Sequence, residues 1–315
     1  MLGMRFFVRA PSLWKDEVMS WDAVLIAGPT ASGKSAAALS LAEEMGGTVI
    51  NTDSMQVYAE LRVLTSRPNE ENEARAPHLL YGHIPVTECY SVGRYVDDAI
   101  GACSESRSAG RIPIFVGGSG LYFNALTEGL SPIPPVPPPI REVLEKRIDE
   151  KGLPSFFAEF AEKDPDTVAG LRPSDRQRIL RAASVFVATG RSLKKWQQIK
   201  GTSPLEGLEV GRVVLAPSRE VLHGRIAARF HKMVAHGALA EAKALRTLDP
   251  TLPAARALGL PQLQAHLRGE SGLEEACSQA VMETKRYAKR QMTWFRRFMS
   301  DWKWLENDDL RNIMS

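Results

Sequence analysis

Apolar residues in the first third of the chain fall into short, nearly unbroken runs. Val24-Leu25-Ile26-Ala27, Thr48-Val49-Ile50 and residues 112–116 carry almost no polar alternation, the pattern of strands covered on both faces. Between them lie segments of helical period. Residues 36–45 are alanine-rich and close at Gly46-Gly47, and residues 92–109 end at Gly110. This alternation predicts an α/β fold, a parallel sheet flanked by helices. Six prolines between Pro132 and Pro139 then break the pattern and read as a stiff connector where the chain leaves its core. Residues 141–200 read as helical. Ser174-Asp175-Arg176-Gln177 reads as a capping box opening a helix that runs to Gly190. Strand character returns at Val213-Val214-Leu215-Ala216. Two long helical stretches follow, 220–248 with a break at Gly237, and 273–299. The expected organisation is a core of residues 21–130 and 206–305, an all-helical insertion at 131–205, and a disordered extension at 1–20 that lacks the apolar middle of a signal peptide.

The turn after the first strand is the most specific signal. Gly28, Pro29, Thr30, Ala31, Ser32, Gly33, Lys34 and Ser35 fit G-x-x-x-x-G-K-[ST], the phosphate-cradling P-loop, with a strand before it and a helix after. Its glycines let successive N–H groups turn inward, Lys34 adds a point charge, and the Ser35 hydroxyl is placed to hold Mg²⁺. The helix directs its positive dipole end at the same spot. A di- or triphosphate is expected there. The loop alone leaves kinase, ATPase and transferase chemistry open.

With 44% apolar and 24% charged residues, the 315-residue chain has an ordinary globular make-up. Cys89, Cys103 and Cys277 form no C-x-x-C pair, and the six histidines show no ligand spacing, so no disulfide framework or zinc site is expected and a cytoplasmic setting fits. No apolar run is long enough for a membrane span. The net charge is only +3, yet residues 172–200 carry eight basic side chains against Asp175 alone, and residues 285–297 carry six against no acid. Two concentrated basic segments in a nearly neutral chain suit a polyanionic partner.

The second strand delivers Asp53 to the sheet edge that holds the P-loop, where a carboxylate can act as general base, hold Mg²⁺ through water, or cap an Asx turn. The third apolar run empties into Gly117-Gly118-Ser119-Gly120-Leu121-Tyr122, a glycine-rich turn offering the Ser119 hydroxyl, and it lacks the aspartate of a conventional nucleotide-hydrolysing magnesium site. Arg225 and Arg229, one helical turn apart, suit a diphosphate. Tyr287, Trp294 and Phe295 recur toward one face of the last helix and read as core anchors.

Taken together, the P-loop, Asp53-Ser54-Met55-Gln56-Val57-Tyr58, the Gly117 to Tyr122 turn, Arg176-Gln177-Arg178-Ile179-Leu180-Arg181-Ala182, Arg225-Ile226 with Arg229, and Tyr287-Ala288-Lys289-Arg290-Gln291-Met292-Thr293-Trp294-Phe295-Arg296 resemble the bacterial tRNA dimethylallyltransferases, in the family's order from about Val24 to Trp304. The resemblance implies transfer of a dimethylallyl group from dimethylallyl diphosphate to the N6 amine of the adenosine 3′ of the anticodon, with Mg²⁺ as cofactor and a tRNA anticodon stem-loop as partner; a monomer is expected. It implies Asp53 as general base, and Ser119 and Arg229 with the P-loop on the leaving diphosphate. Asp53, Ser54, Met55, Gln56, Ser119, Arg141, Gln177, Arg178, Ile179, Leu180 and Arg181 would position the tRNA. Two departures stand out. Ser119 replaces the family's usual Thr, and Leu258-Gly259-Leu260-Pro261 replaces an Ile-Gly-Tyr-Lys run. Two rivals use the same loop: a small-molecule kinase, which needs no basic insertion, and a nucleotide-switched RNA-binding protein, which needs no Asp53.

Overall fold

The computed structural model describes residues 21–306, so the expected extension at 1–20 lies outside the described residues. The chain up to Asn124 together with that from Gly207 forms one compact unit, and Ala125–Glu206 forms a second. In the first, β1 (Ala23–Ala27), α1 (Lys34–Met45), β2 (Thr48–Asn51), α2 (Glu70–Arg75), β3 (His78–Leu79), α3 (Val92–Ser108), β4 (Pro113–Gly117) and α4 (Gly120–Glu128) appear in that order, α4 leading on into the second unit. All strands pair in parallel in the order β3-β2-β4-β1-β5-β6, with β5 at Val210–Leu215 and β6 at Lys303–Leu305. Every residue of β1, β2 and β4 is buried, as their unbroken apolar runs require. β3 and β6, two and three residues long, carry too few positions to show a period and are not legible in the sequence.

The second unit holds α5 (Pro138–Lys151), α6 (Leu153–Lys163), α7 (Pro165–Val168), α8 (Arg176–Thr189) and α9 (Leu193–Gln197). The proline run does not stay extended throughout, because α5 starts within it, where proline's fixed φ and missing N–H suit a first turn. The unit begins earlier than expected because its incoming and outgoing chains lie together. Ser203 Oγ donates to Leu126 O at 2.8 Å, and a side chain at Gly129 or Gly201 would collide with the opposite backbone. Helix α8 is capped by Asp175, whose side chain accepts from Arg178 N at 3.2 Å, one residue later than the capping box on Ser174 would have it. Gly190 ends it in the left-handed conformation.

Ile179 and Leu180 correct a second expectation. They are 0% and 5% exposed and pack with Leu144, Ile148, Phe156 and Phe160 in the core of this unit. Their side chains turn inward and hold the helix in place. Arg178 and Arg181 lie on the exposed face of the same helix.

The first unit resumes with β5 and four helices: α10 (Arg219–Ala235), α11 (Ala238–Ala244), α12 (Leu260–Leu267) and α13 (Leu273–Phe298). Gly237 separates α10 from α11 at φ 106°, as its position in the pattern suggests. Leu260, where the family's tyrosine is absent, is fully buried, and Pro261 occupies the first turn of α12, so an apolar packing role replaces the polar pair. No helix among the described residues is long and apolar enough to cross a membrane.

Candidate active site

The P-loop is shaped by two left-handed residues, Ala31 at φ 66° and Gly33 at φ 98°, which curl the chain around its own amides before α1 begins. A left-handed alanine costs on the order of 1 kcal/mol, and the loop keeps it because Ala31 packs against Leu222, Ile226 and Ala288 from α10 and α13. These same helices supply the loop's polar partners. The Arg225 guanidinium donates to Ser32 O at 3.0 Å, Arg229 donates to the Thr30 hydroxyl, and Gln291 Oε1 accepts from Thr30 N at 2.9 Å. Lys34 Nζ donates to Pro29 O at 3.2 Å.

The β2 turn is equally fixed. Asn51 caps Asp53 from both sides, taking its N–H at 2.9 Å and donating to its carbonyl at 3.0 Å. Asp53 Oδ1 accepts from Met55 N at 2.9 Å, so the candidate base also forms an Asx turn. Its second oxygen is directed toward Gly118, where a Cβ would lie 3.4 Å away. Gly117 admits no side chain at all, since a Cβ would sit 1.9 Å from Thr52 O. Behind this turn Tyr95 donates to Thr52 Oγ1 at 3.0 Å and stacks on Tyr122 with ring centroids 3.9 Å apart. Ser119, expected on the diphosphate, is tied here to Ser54. Its hydroxyl accepts from Ser54 N at 2.9 Å and donates to Ser54 Oγ at 3.2 Å, holding the Asp53 turn.

Two cavities meet at these loops. One is lined by residues 30–36 of the P-loop with Asp53, Gln56, Arg225 and Arg229, three cations with Lys34 against one carboxylate. The other, about 290 Å³, has an apolar wall of Leu64, Ile226, Phe230, Met233 and Leu258, with Ser54, Met55, Arg256, Tyr287 and Arg290 around it. Thr30, Asp53, Thr65 and Arg229 line both. Desolvation lowers Lys34 to about 8, opposed by attraction to Asp53 and reinforced by Arg229. Burial also lowers Arg229, again against the pull of Asp53. Burial and the Asp53 charge together raise Tyr81, Tyr122 and Tyr287, so all three phenols stay protonated.

The expected residues of the first unit therefore converge, with Gln56 clamped by its amide to Thr65 O and Ser66 O at 2.9 and 3.1 Å. Arg141 and Arg181 belong to the second unit, where burial and the neighbouring Arg141 charge both lower the pKa of Arg181. Gln177 and Arg178 occupy the exposed first turn of α8 there. Tyr287, read from the sequence as a core anchor, is half-buried and lines the apolar cavity, and Gln291 and Arg290 stood in the quoted motif without a role, while Arg256 was passed over. Gln291 left a further signal, as a polar residue on the buried stripe Thr284, Ala288, Gln291, Phe295 of α13.

Among the described residues no group of three or more His, Cys, Asp or Glu could hold a metal by itself. Magnesium does not require one, because it keeps several waters and takes one or two protein oxygens beside substrate phosphates. Ser35, at the start of α1 and in the same cavity as Asp53, fits that donor set.

Comparison with known proteins agrees with this geometry. A family model described as IPP transferase matches residues 56–298, and one described as isopentenyl transferase matches residues 21–80. A tRNA dimethylallyltransferase of Rhodopseudomonas palustris is 53% identical over 91% of this chain and 90% of its own length, and one of Methylobacterium nodulans is 50% identical over 92% and 97%. The full-length tRNA isopentenylpyrophosphate transferase of Bacillus halodurans superposes with a TM-score of 0.65 at 31% identity, covering 93% of each chain. A eukaryotic dimethylallyltransferase acting on tRNA shares the fold, with a TM-score of 0.77 at 24% identity over 92% of this chain and 74% of its own. The α/β P-loop protein described here belongs to the tRNA dimethylallyltransferase family.

Proposed function

We propose that this prenyltransferase joins C1 of dimethylallyl diphosphate to the N6 amine of the adenosine 3′ of a tRNA anticodon, at tRNA position 37. The observation that carries this is the meeting of the cationic and apolar cavities at Thr30, Asp53 and Arg229. A diphosphate in the first and a hydrocarbon tail in the second would put the breaking C–O bond between them. The adenine must leave its stack to arrive there. As its nitrogen bonds to C1, the C–O electron pair departs with the diphosphate and the N6 proton passes to Asp53. P-loop amides, Lys34 and Arg229 stabilise charge growing on the leaving group. Ser35 would hold Mg²⁺, and the ion would offset negative charge on the diphosphate. Ser54 and Met55 border the apolar cavity and support a role in holding the nucleotide, with Arg141, Gln177, Arg178 and Arg181 binding the anticodon arm. We read the enzyme as a cytoplasmic monomer.

The test is a competition. Purified protein with Mg²⁺ should bind dimethylallyl diphosphate in preference to ATP, since P-loop amides do not distinguish the two and the adjoining wall is apolar. Label from dimethylallyl diphosphate should move to tRNA. Tighter binding of ATP, with hydrolysis on adding tRNA, overturns the reading in favour of the kinase or the switch.

Lys34 makes diphosphate binding pH-dependent. The bound anion restores a counter-charge and raises the Lys34 pKa above about 8, so binding takes up a proton. Inorganic pyrophosphate should bind with constant affinity, as far as Lys34 decides, below about pH 8 and weaken above it by up to about tenfold per pH unit. Lys34→Arg should flatten the profile, because guanidinium stays charged. A titration from pH 7 to roughly 10 reads this directly.

Arg178→Ala and Arg181→Ala should each weaken tRNA binding and reduce the log–log salt slope by roughly 0.7 to 0.9, the counterion release of one phosphate contact. The Asp175 partner of Arg178, at 3.3 Å, offers the alternative of an internal ion pair, which an unchanged slope would reveal.

A further inference from the structure

Thr284, on the buried stripe of α13, spends its hydroxyl within its own helix, on Ala280 O at 2.8 Å. Gln291, 5% exposed on the same stripe, reaches outward instead. Its Oε1 accepts from Thr30 N at 2.9 Å and its Nε2 donates to Gly118 O at 2.8 Å. The partners are one main-chain donor and one main-chain acceptor, so only a side chain with both functions satisfies them. One consequence is that the Thr30 amide is withdrawn from the phosphate cradle. Thr30 then serves the site through its hydroxyl, which Arg229 holds. A second concerns Gly118, where a Cβ would meet both Gln291 Nε2, at 2.2 Å, and Asp53 Oδ2, at 3.4 Å, so Gln291 and the carboxylate share the same space.

We infer that Gln291 is a positioning residue for prenyl transfer, a single carboxamide that sets Arg229 through Thr30 and the Asp53 carboxylate through Gly118. The inference rests on the proposed roles of Asp53 and Arg229. At stake is the spacing between base and leaving-group partner, Asp53 in the turn after β2 and Arg229 on α10. Misplacing a reacting group by about an ångström is enough to cost 10²-fold in rate.

Gln291→Met keeps the length and apolar stem while removing both functions. Single-turnover transfer at saturating dimethylallyl diphosphate and tRNA should fall by roughly 10- to 100-fold, with dissociation constants for tRNA and inorganic pyrophosphate within about threefold of the parent. Where Gln291→Met does not fold, Gln291→Asn, one methylene short of spanning both partners, should show the same split. Thr30→Val should also slow transfer, Thr30→Ser should restore it, and the Gln291→Met/Thr30→Val pair should be little slower than the slower single variant, because both break one chain of contacts. A parental rate, a loss confined to the dissociation constants, or multiplying losses in the pair would overturn the inference. Asp53→Asn and Arg229→Ala in the same assay separate the two readings. If they lose rate and the Gln291 variants do not, only the clamp falls; if they keep full rate, the underlying site assignment falls.

Discussion

Asp53→Asn should abolish nearly all turnover while leaving tRNA affinity within a few-fold. The substitution preserves size, and the amide oxygen can still accept from Met55 N, so the turn that Asn51 caps keeps its shape. What is lost is basicity, worth about 10²–10⁴ in rate when a proton must leave in the transition state. Asp53 is also the one carboxylate that lines the cationic cavity with Lys34, Arg225 and Arg229, so the variant leaves that cavity more positive and diphosphate should bind no more weakly. The measurement is single-turnover rate at saturating tRNA, beside the dissociation constants. A variant keeping half its rate would remove Asp53 from the base role.

Arg229→Ala should slow the chemical step more than it weakens ground-state binding. Arg229 lines both cavities and is anchored on the Thr30 hydroxyl, where the proposed reading puts the breaking bond. Charge on the diphosphate grows as the allylic bond lengthens, and a contact strengthened mainly then is worth on the order of 2–4 kcal/mol. Arg225 provides the contrast. It holds the Ser32 carbonyl from an exposed position, so Arg225→Ala should act mostly on diphosphate affinity. Comparing rate with the dissociation constant for each variant separates the two arginines. A change in Arg229→Ala confined to binding would make it a uniform binder.

Much of this was readable because it is local. The strand, glycine turn and helix around residues 23–45 declare themselves through adjacent residues, and Asp53 follows its strand directly. The Gly237 break and the Gly190 stop likewise need only nearby chain. Gln291 was not readable, because its meaning lies 261 residues away at Thr30. Ile179 and Leu180 were misread for a related reason. They stand within a basic segment whose linear context suggests nucleic acid, while the helix turns those two positions inward. Ser119 shows the same limit at shorter range, since a hydroxyl expected in the site is occupied by Ser54, 65 residues earlier.

The placement of β5 beside β1 affects how the protein is made. Residues that complete the P-loop from outside arrive late: Arg225 meets a partner 193 residues before it, Arg229 one 199 before, and Gln291 one 261 before. During synthesis the first four strands can pair as β3-β2-β4-β1, which leaves the wholly apolar β1 as an open edge until β5 emerges behind the second unit. Such an edge is a template for pairing with other chains, and contacts of this separation form slowly. A nascent or truncated chain ending before β5 would therefore display the complete G-x-x-x-x-G-K-[ST] signature while lacking Gln291 and the Ala288 support of Ala31, and would be prone to aggregate before it could transfer anything.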